Sequence, residues 1–139
     1  MGCRPLNRLT DTLRAEHSAI LRLIEEAHAT GIGSQGAFES LRKSKALIIA
    51  HLRKEERELY PPLFASCDFA AMGDVFSAEM VRLSQTIIRF FERYETVGAA
   101  DSGELAPELD RIIGLLHTRI AREENTLYPA FEKVVAEPA

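Results

Sequence analysis

The chain is short of cysteine, of net charge, of long apolar runs and of strand signals, and each shortage removes a class of answer. Only two cysteines, Cys3 and Cys67, occur in 139 residues. That is too few for a disulfide-stapled secreted fold and suits a reducing, cytoplasmic compartment. One lies near a terminus and the other in an expected loop, so they read as ordinary thiols rather than a redox pair. No apolar run approaches the roughly 20 residues that a membrane helix needs. Met1 to Pro5 lacks the apolar stretch of a secretory leader, and Leu6 breaks the myristoylation pattern that Gly2 would begin. A formal net charge of -4 and a pI near 5.6 offer no basic face for nucleic acid. β-branched clusters are short and no stretch alternates apolar and polar residues for long, so a sheet is not expected.

What is present is helical periodicity. At 46% hydrophobic and 27% charged residues, the composition is that of an ordinary globular protein. The length suffices to bury a core without staples, and residues 1–139 are expected to form one domain. A first helix is expected over residues 7–30, with Leu9, Leu13, Ile20, Ile24 and Ala27 inward and Gly31 and Gly33 at its end. A second runs from residues 34–36 to 65 on Leu41, Ile48, Leu52, Leu59 and Leu63, bent or shortened by Pro61 and Pro62. A third covers residues 69–97 on Phe76, Met80, Leu83, Ile87, Phe90 and Tyr94. After a loop over 98–103, a fourth covers 104–135 on Leu109, Ile113, Leu116, Ile120, Leu127 and Val134. Four long amphipathic helices with short connections predict an all-α, up-down-up-down four-helix bundle. Phe90 and Phe91 are adjacent and cannot both point straight inward. Either one marks a partner surface or the buried face there is wide.

The second and fourth helices share a repeat. Glu55-Glu56-Arg57-Glu58-Leu59-Tyr60-Pro61 returns as Glu123-Glu124-Asn125-Thr126-Leu127-Tyr128-Pro129, offset by 68 residues throughout. The bundle therefore reads as two helical hairpins about a pseudo-twofold axis, able to present equivalent side chains to its centre.

Polar residues interrupt the apolar stripes. Residues three, four and seven apart share a helical face. His17 lies in the stripe of Leu13, Ile20 and Ile24. His51 follows Ile48 by three, and Glu55 stands between His51 and Leu59. Glu123 stands between Ile120 and Leu127. A buried ionised carboxylate is costly unless paired or metal-bound, so two inward glutamates and two inward histidines ask for a common explanation. A cation neutralises carboxylates while neutral imidazoles donate lone pairs to it. His17, His51, Glu55 and Glu123 are thus candidate metal ligands, in a mixed nitrogen and oxygen set that suits iron, manganese or zinc. The alternatives are a satisfied core histidine at 17, a hydrogen-bonded His51–Glu55 couple, and a Glu123–Arg119 pair one turn apart.

These residues resemble the hemerythrin-like (HHE cation-binding) family. The resemblance rests on Glu16 to Leu21, on His51-Leu52-Arg53-Lys54-Glu55-Glu56 running into Leu59-Tyr60-Pro61, and on Arg122-Glu123-Glu124 running into Leu127-Tyr128-Pro129. It covers essentially the whole chain. It implies a bridged di-iron site in a four-helix bundle, with a role in binding or sensing dioxygen, nitric oxide or redox state, or in handling iron. It places His17, His51 and Glu55 on ligand positions and Glu123 on a bridging carboxylate position.

The second half departs from the family pattern. Where a histidine is expected on the third helix, Met80 follows Glu79; four before Glu123 stands Arg119. His117, six before Glu123, lies about 120° around the helix and reads as a surface residue. His28 sits about three turns, ~16 Å, from His17. The ferritin-type pattern Glu25-x-x-His28 occurs in one copy where two are needed. Arg119, pairing with Glu123 and Glu55, would repel a second cation, so one ion or an asymmetric di-iron site is expected.

Three functions compete on the sequence. The first is an iron module binding a diatomic gas or small oxidant, signalling through an unknown protein partner because no output domain is visible. The second is a non-haem iron peroxidase or oxidase, for which no acid–base pair stands out, Tyr60 and Tyr128 lying a turn or more from the ligands along their helices. The third is a metal-free helical interaction module.

Overall fold

The computed structural model describes residues 7–97 and 102–136. Four helical rods account for nearly all of them: α1 (Asn7–Thr30), then α2 (Gln35–Lys54) continuing through a π-helical turn (Glu55–Leu59) into α3 (Tyr60–Phe64), then α4 (Ala70–Val97), then α5 (Ser102–Arg122) continuing through a second π turn (Glu123–Leu127) into α6 (Tyr128–Ala136). No strand occurs among the described residues. Each rod packs on the next in sequence, and the last returns to α1, which is the expected up-down-up-down bundle. Among the described residues no helix is long and apolar enough to cross a membrane.

Local chemistry sets the ends. Gly31 adopts a φ of 99°, a left-handed conformation that L side chains resist, and its N–H closes onto Ala27 at 3.1 Å. Three residues on, the Ser34 hydroxyl accepts from the Ala37 N–H and starts α2. The expected loop over 98–103 falls mainly outside the described residues, as does Cys3, and helix has already resumed at Ser102. Cys67 is exposed.

The inner faces follow alternating steps of three and four. Thr10, Leu13, His17, Ile20, Ile24 and Ala27 are buried on α1. On α5 the buried line is Leu105, Leu109, Ile112, Leu116 and Arg119, leading to Glu123. This corrects the expected stripe: Ile113 and Ile120 are only partly buried. At 113 and 120 the expected stripe runs one residue off the true line, and the corrected phase carries Arg119 into the core. Phe90 and Phe91 are both buried, so α4 has a wide inner face there.

Pro61 and Pro129 each sit where a π turn passes back into α-helix, and the second rod ends at Phe64, close to its expected end. A proline lacks an N–H and its ring collides with the carbonyl four residues back. Each helix absorbs this by widening one turn just before Tyr60-Pro61 and Tyr128-Pro129. The N–H of Tyr60 reaches Glu55 O, and that of Tyr128 reaches Glu123 O. The sequence repeat is thus a repeat of backbone geometry. Two apolar clusters result. One is built around Ile24, Leu41, Phe90 and Leu109, the other around Leu13, Leu63, Phe76 and Phe131. Along their helices His17, His51, Glu55, Arg119 and Glu123 fall between the two clusters, as a buried polar layer.

Candidate metal centre

His17 from α1, His51 at the end of α2, and Glu55 and Glu123 opening the two π turns converge in that polar layer. One ligand atom from each lies within 4.8 Å of all the others, and all four side chains are buried. The imidazole centroids are 4.6 Å apart. The structure therefore brings together all four residues that break the apolar stripes. His28 and His117 lie elsewhere, exposed, with Nε2 of His28 2.5 Å from Asp110 and Nε2 of His117 2.7 Å from Glu25.

Each histidine is oriented from behind. His17 Nδ1 meets Glu124 Oε2 at 2.7 Å and His51 Nδ1 meets Glu16 Oε1 at 2.8 Å, while Lys54 pairs with the other oxygen of Glu16. A carboxylate on Nδ1 fixes the ring and leaves Nε2 facing inward, the arrangement that metal-ligating histidines use. Sequence patterning does not single out Glu16 and Glu124 as site residues. Their only sequence signal is adjacency to His17 and Glu123.

Tyr128 also escapes the sequence pattern. Five residues from Glu123, it would lie about 140° away on a uniform α-helix, but the π turn takes up the extra residue. Its hydroxyl donates to Glu55 Oε2 at 2.8 Å and lies 3.2 Å from His17 Nε2 and 3.3 Å from Glu123 Oε1. It touches three of the four converging side chains, so the expectation that it stands a turn away is corrected. Burial and the two glutamates push its hydroxyl pKa strongly upward, which keeps its proton in place.

The second copy is arranged differently. Arg119 Nε donates to Glu123 Oε2 at 3.0 Å, Nη2 to the Tyr60 hydroxyl at 2.9 Å, and Nη1 to Glu79 Oε1 at 3.4 Å. Its guanidinium also lies 5.0 Å from the Phe76 ring centroid. The expected pairing with Glu123 is present. In place of Glu55, the other partners are Tyr60 and Glu79. Met80 is a buried residue of the apolar cluster.

Electrostatics separates the two glutamates. Burial, with the charge of Glu123, raises the Glu55 pKa against the opposing pull of His51 and Tyr128. For Glu123 burial acts the same way, but His17 and Arg119 outweigh it and lower its pKa. Burial works against a charged His51, yet Glu55, Glu123 and Glu16 raise it to about 8.

Two buried side-chain atoms among the described residues have no hydrogen-bond partner, His51 Nε2 and Glu55 Oε1. Although His51 Nε2 is 3.2 Å from Glu55 Oε2, the two are not aligned for a hydrogen bond. Unsatisfied buried polar atoms are expensive, and these two belong to the cluster where a cation would use both.

Compared with known families, residues 8–131 match the one described as the Hemerythrin HHE cation binding domain. No curated protein and no solved structure matches the chain.

Proposed function

The chain belongs to the hemerythrin HHE cation-binding domain family, and from that premise we propose that it holds iron in the polar layer of its bundle, through His17, His51, Glu55 and Glu123. The observation that carries this reading is the pair of stranded atoms, His51 Nε2 and Glu55 Oε1, among four convergent side chains. Two imidazole nitrogens and carboxylate oxygens form a borderline donor set that suits iron, with manganese and zinc as competitors.

A bound iron would supply a redox-active ion with room for a small ligand, which fits binding or sensing of dioxygen, nitric oxide or redox state, or the handling of iron itself. The chain's own residues do the rest. Glu16 and Glu124 fix the imidazoles. The apolar clusters on either side exclude water. Tyr128 holds a proton at its hydroxyl, between Glu55 and His17.

The test is elemental analysis of the purified protein beside a His51→Ala, Glu55→Ala double variant. Iron in the wild type and none in the variant is the expected outcome. No metal in the wild type after anaerobic reconstitution with iron(II) overturns the reading in favour of a metal-free helical module.

One observation favours a second reading, a non-haem iron peroxidase or oxidase. The Tyr128 hydroxyl is a proton donor placed at the centre itself. Turnover of peroxide with a reducing dye, abolished in Tyr128→Phe while iron is retained, separates the enzyme from the sensor.

A further inference from the structure

The 68-residue repeat pairs residues of the first copy with counterparts in the second. Glu55 corresponds to Glu123, Tyr60 to Tyr128, and His51 to Arg119. Where the first copy offers a neutral nitrogen donor, the second offers a guanidinium, which has no lone pair to give.

We infer that the Arg119 guanidinium permanently occupies the second cation position of this centre, so that the site takes a single metal ion on its His17, His51 and Glu55 side. This rests on the metal-binding reading above and goes beyond it in fixing the number of ions and the residue responsible.

Three observations carry the inference. First, the free valences are one-sided. Both stranded atoms belong to the first copy, while both oxygens of Glu123 are engaged, Oε1 by His17 and Tyr128 and Oε2 by Arg119. A carboxylate that bridges two ions with one oxygen on each uses both oxygens, and here one already serves the Arg119 cation. Second, Arg119 is held from several directions: by Glu123, Tyr60 and Glu79, and against the Phe76 ring. A guanidinium so tethered does not swing out to admit an ion, and its charge repels one. Third, the space beside it is apolar. A cavity of about 40 Å³ adjoins Arg119 and Glu123. Its α4 wall is formed by Met80, Leu83, Ser84 and Ile87, which supply no imidazole or carboxylate.

The tyrosines show the same asymmetry. Tyr128 crosses to the first copy and donates to Glu55. Its counterpart Tyr60 crosses to the second copy and is met by Arg119 instead of a carboxylate.

The experiment is a cobalt(II) titration of the full chain, with ions per chain counted by elemental analysis after gel filtration and helicity checked by circular dichroism. The wild type is expected to bind one ion. Arg119→His, which restores the His-x-x-x-Glu spacing of the first copy, is expected to bind two. Arg119→Gln, which removes the charge without adding a strong ligand, is expected to take up a second ion only at cobalt concentrations at least tenfold higher than the first requires. Two ions in the wild type would overturn the inference while leaving the metal-binding reading intact. A single ion in a helical Arg119→His protein would overturn it as well. No ion in the wild type would remove both.

Discussion

The two copies of the repeat share a backbone and differ in what they leave unsatisfied. Both begin a π turn at a glutamate and end it at Tyr-Pro. In the first, His51 and Glu55 keep two buried atoms without partners. In the second, Arg119 and Glu123 form a closed ion pair with further partners around it. On the proposed reading, one copy is open to an external cation and the other carries its own. The bundle thus keeps the symmetry of its scaffold while giving up the symmetry of its chemistry, and a single residue type at one inward position makes most of the difference.

Substitutions that treat the two glutamates alike should expose this. The largest effect on the metal-free protein is expected from Glu123→Ala. It takes the nearest carboxylate from the buried Arg119, leaving Tyr60 and the longer Glu79 contact, which costs up to about 3–5 kcal/mol, read as a fall in denaturant midpoint. Glu55→Gln should cost less in the same measurement, because the loss of a charged partner for His51 is offset by relief of a burial penalty. It removes a carboxylate whose pKa is raised by burial and by the charge of Glu123 and which is therefore disfavoured in the folded state. Equal losses at both positions would mean that the two copies are energetically equivalent.

The pH dependence of metal-free stability separates the two copies as well. The pKa of His51 is about 8 in the folded protein, raised from an ordinary 6.5. Its contribution is therefore complete below pH ~6.5 and is lost as pH rises through about 8. A rise of that size corresponds to about 2 kcal/mol, which metal-free protein should lose between about pH 6 and pH 9. His51→Gln should flatten that slope, whereas Arg119→Gln should leave it in place.

The smallest effect on metal content is expected from Tyr60→Phe. It removes one hydrogen bond from the charged Arg119, worth about 1.5–3 kcal/mol, and should leave metal content unchanged. Loss of metal in that variant would mean that the second copy supports the ion directly.

The bundle is legible in the sequence because helix periodicity, short connections and the repeat all agree. His17, His51, Glu55 and Glu123 are legible for a similar reason: each breaks an apolar stripe, and a charge on such a stripe demands a partner. The phase of α5 is not. Adjacent apolar residues at 112–113 and 115–116 let the stripe be drawn through Ile113 as readily as through Ile112, and only packing decides. Tyr128 is hidden by the π turn. Counting at 100° per residue assumes a uniform helix, and the proline that widens the turn reads in sequence as a helix breaker. Glu16 and Glu124 are hidden because a carboxylate beside a ligand on the chain looks like any surface acid until the partner helix is in place.

An asymmetric centre with one ion has a distinct signature in anomalous X-ray diffraction at the iron edge from crystals of the iron-loaded protein. The expected map has one peak, bounded by His17, His51, Glu55 and Glu123, with Arg119 still bonded to Glu123. Two peaks about 3.5–4 Å apart, as in two-metal sites, with Arg119 displaced, would contradict it.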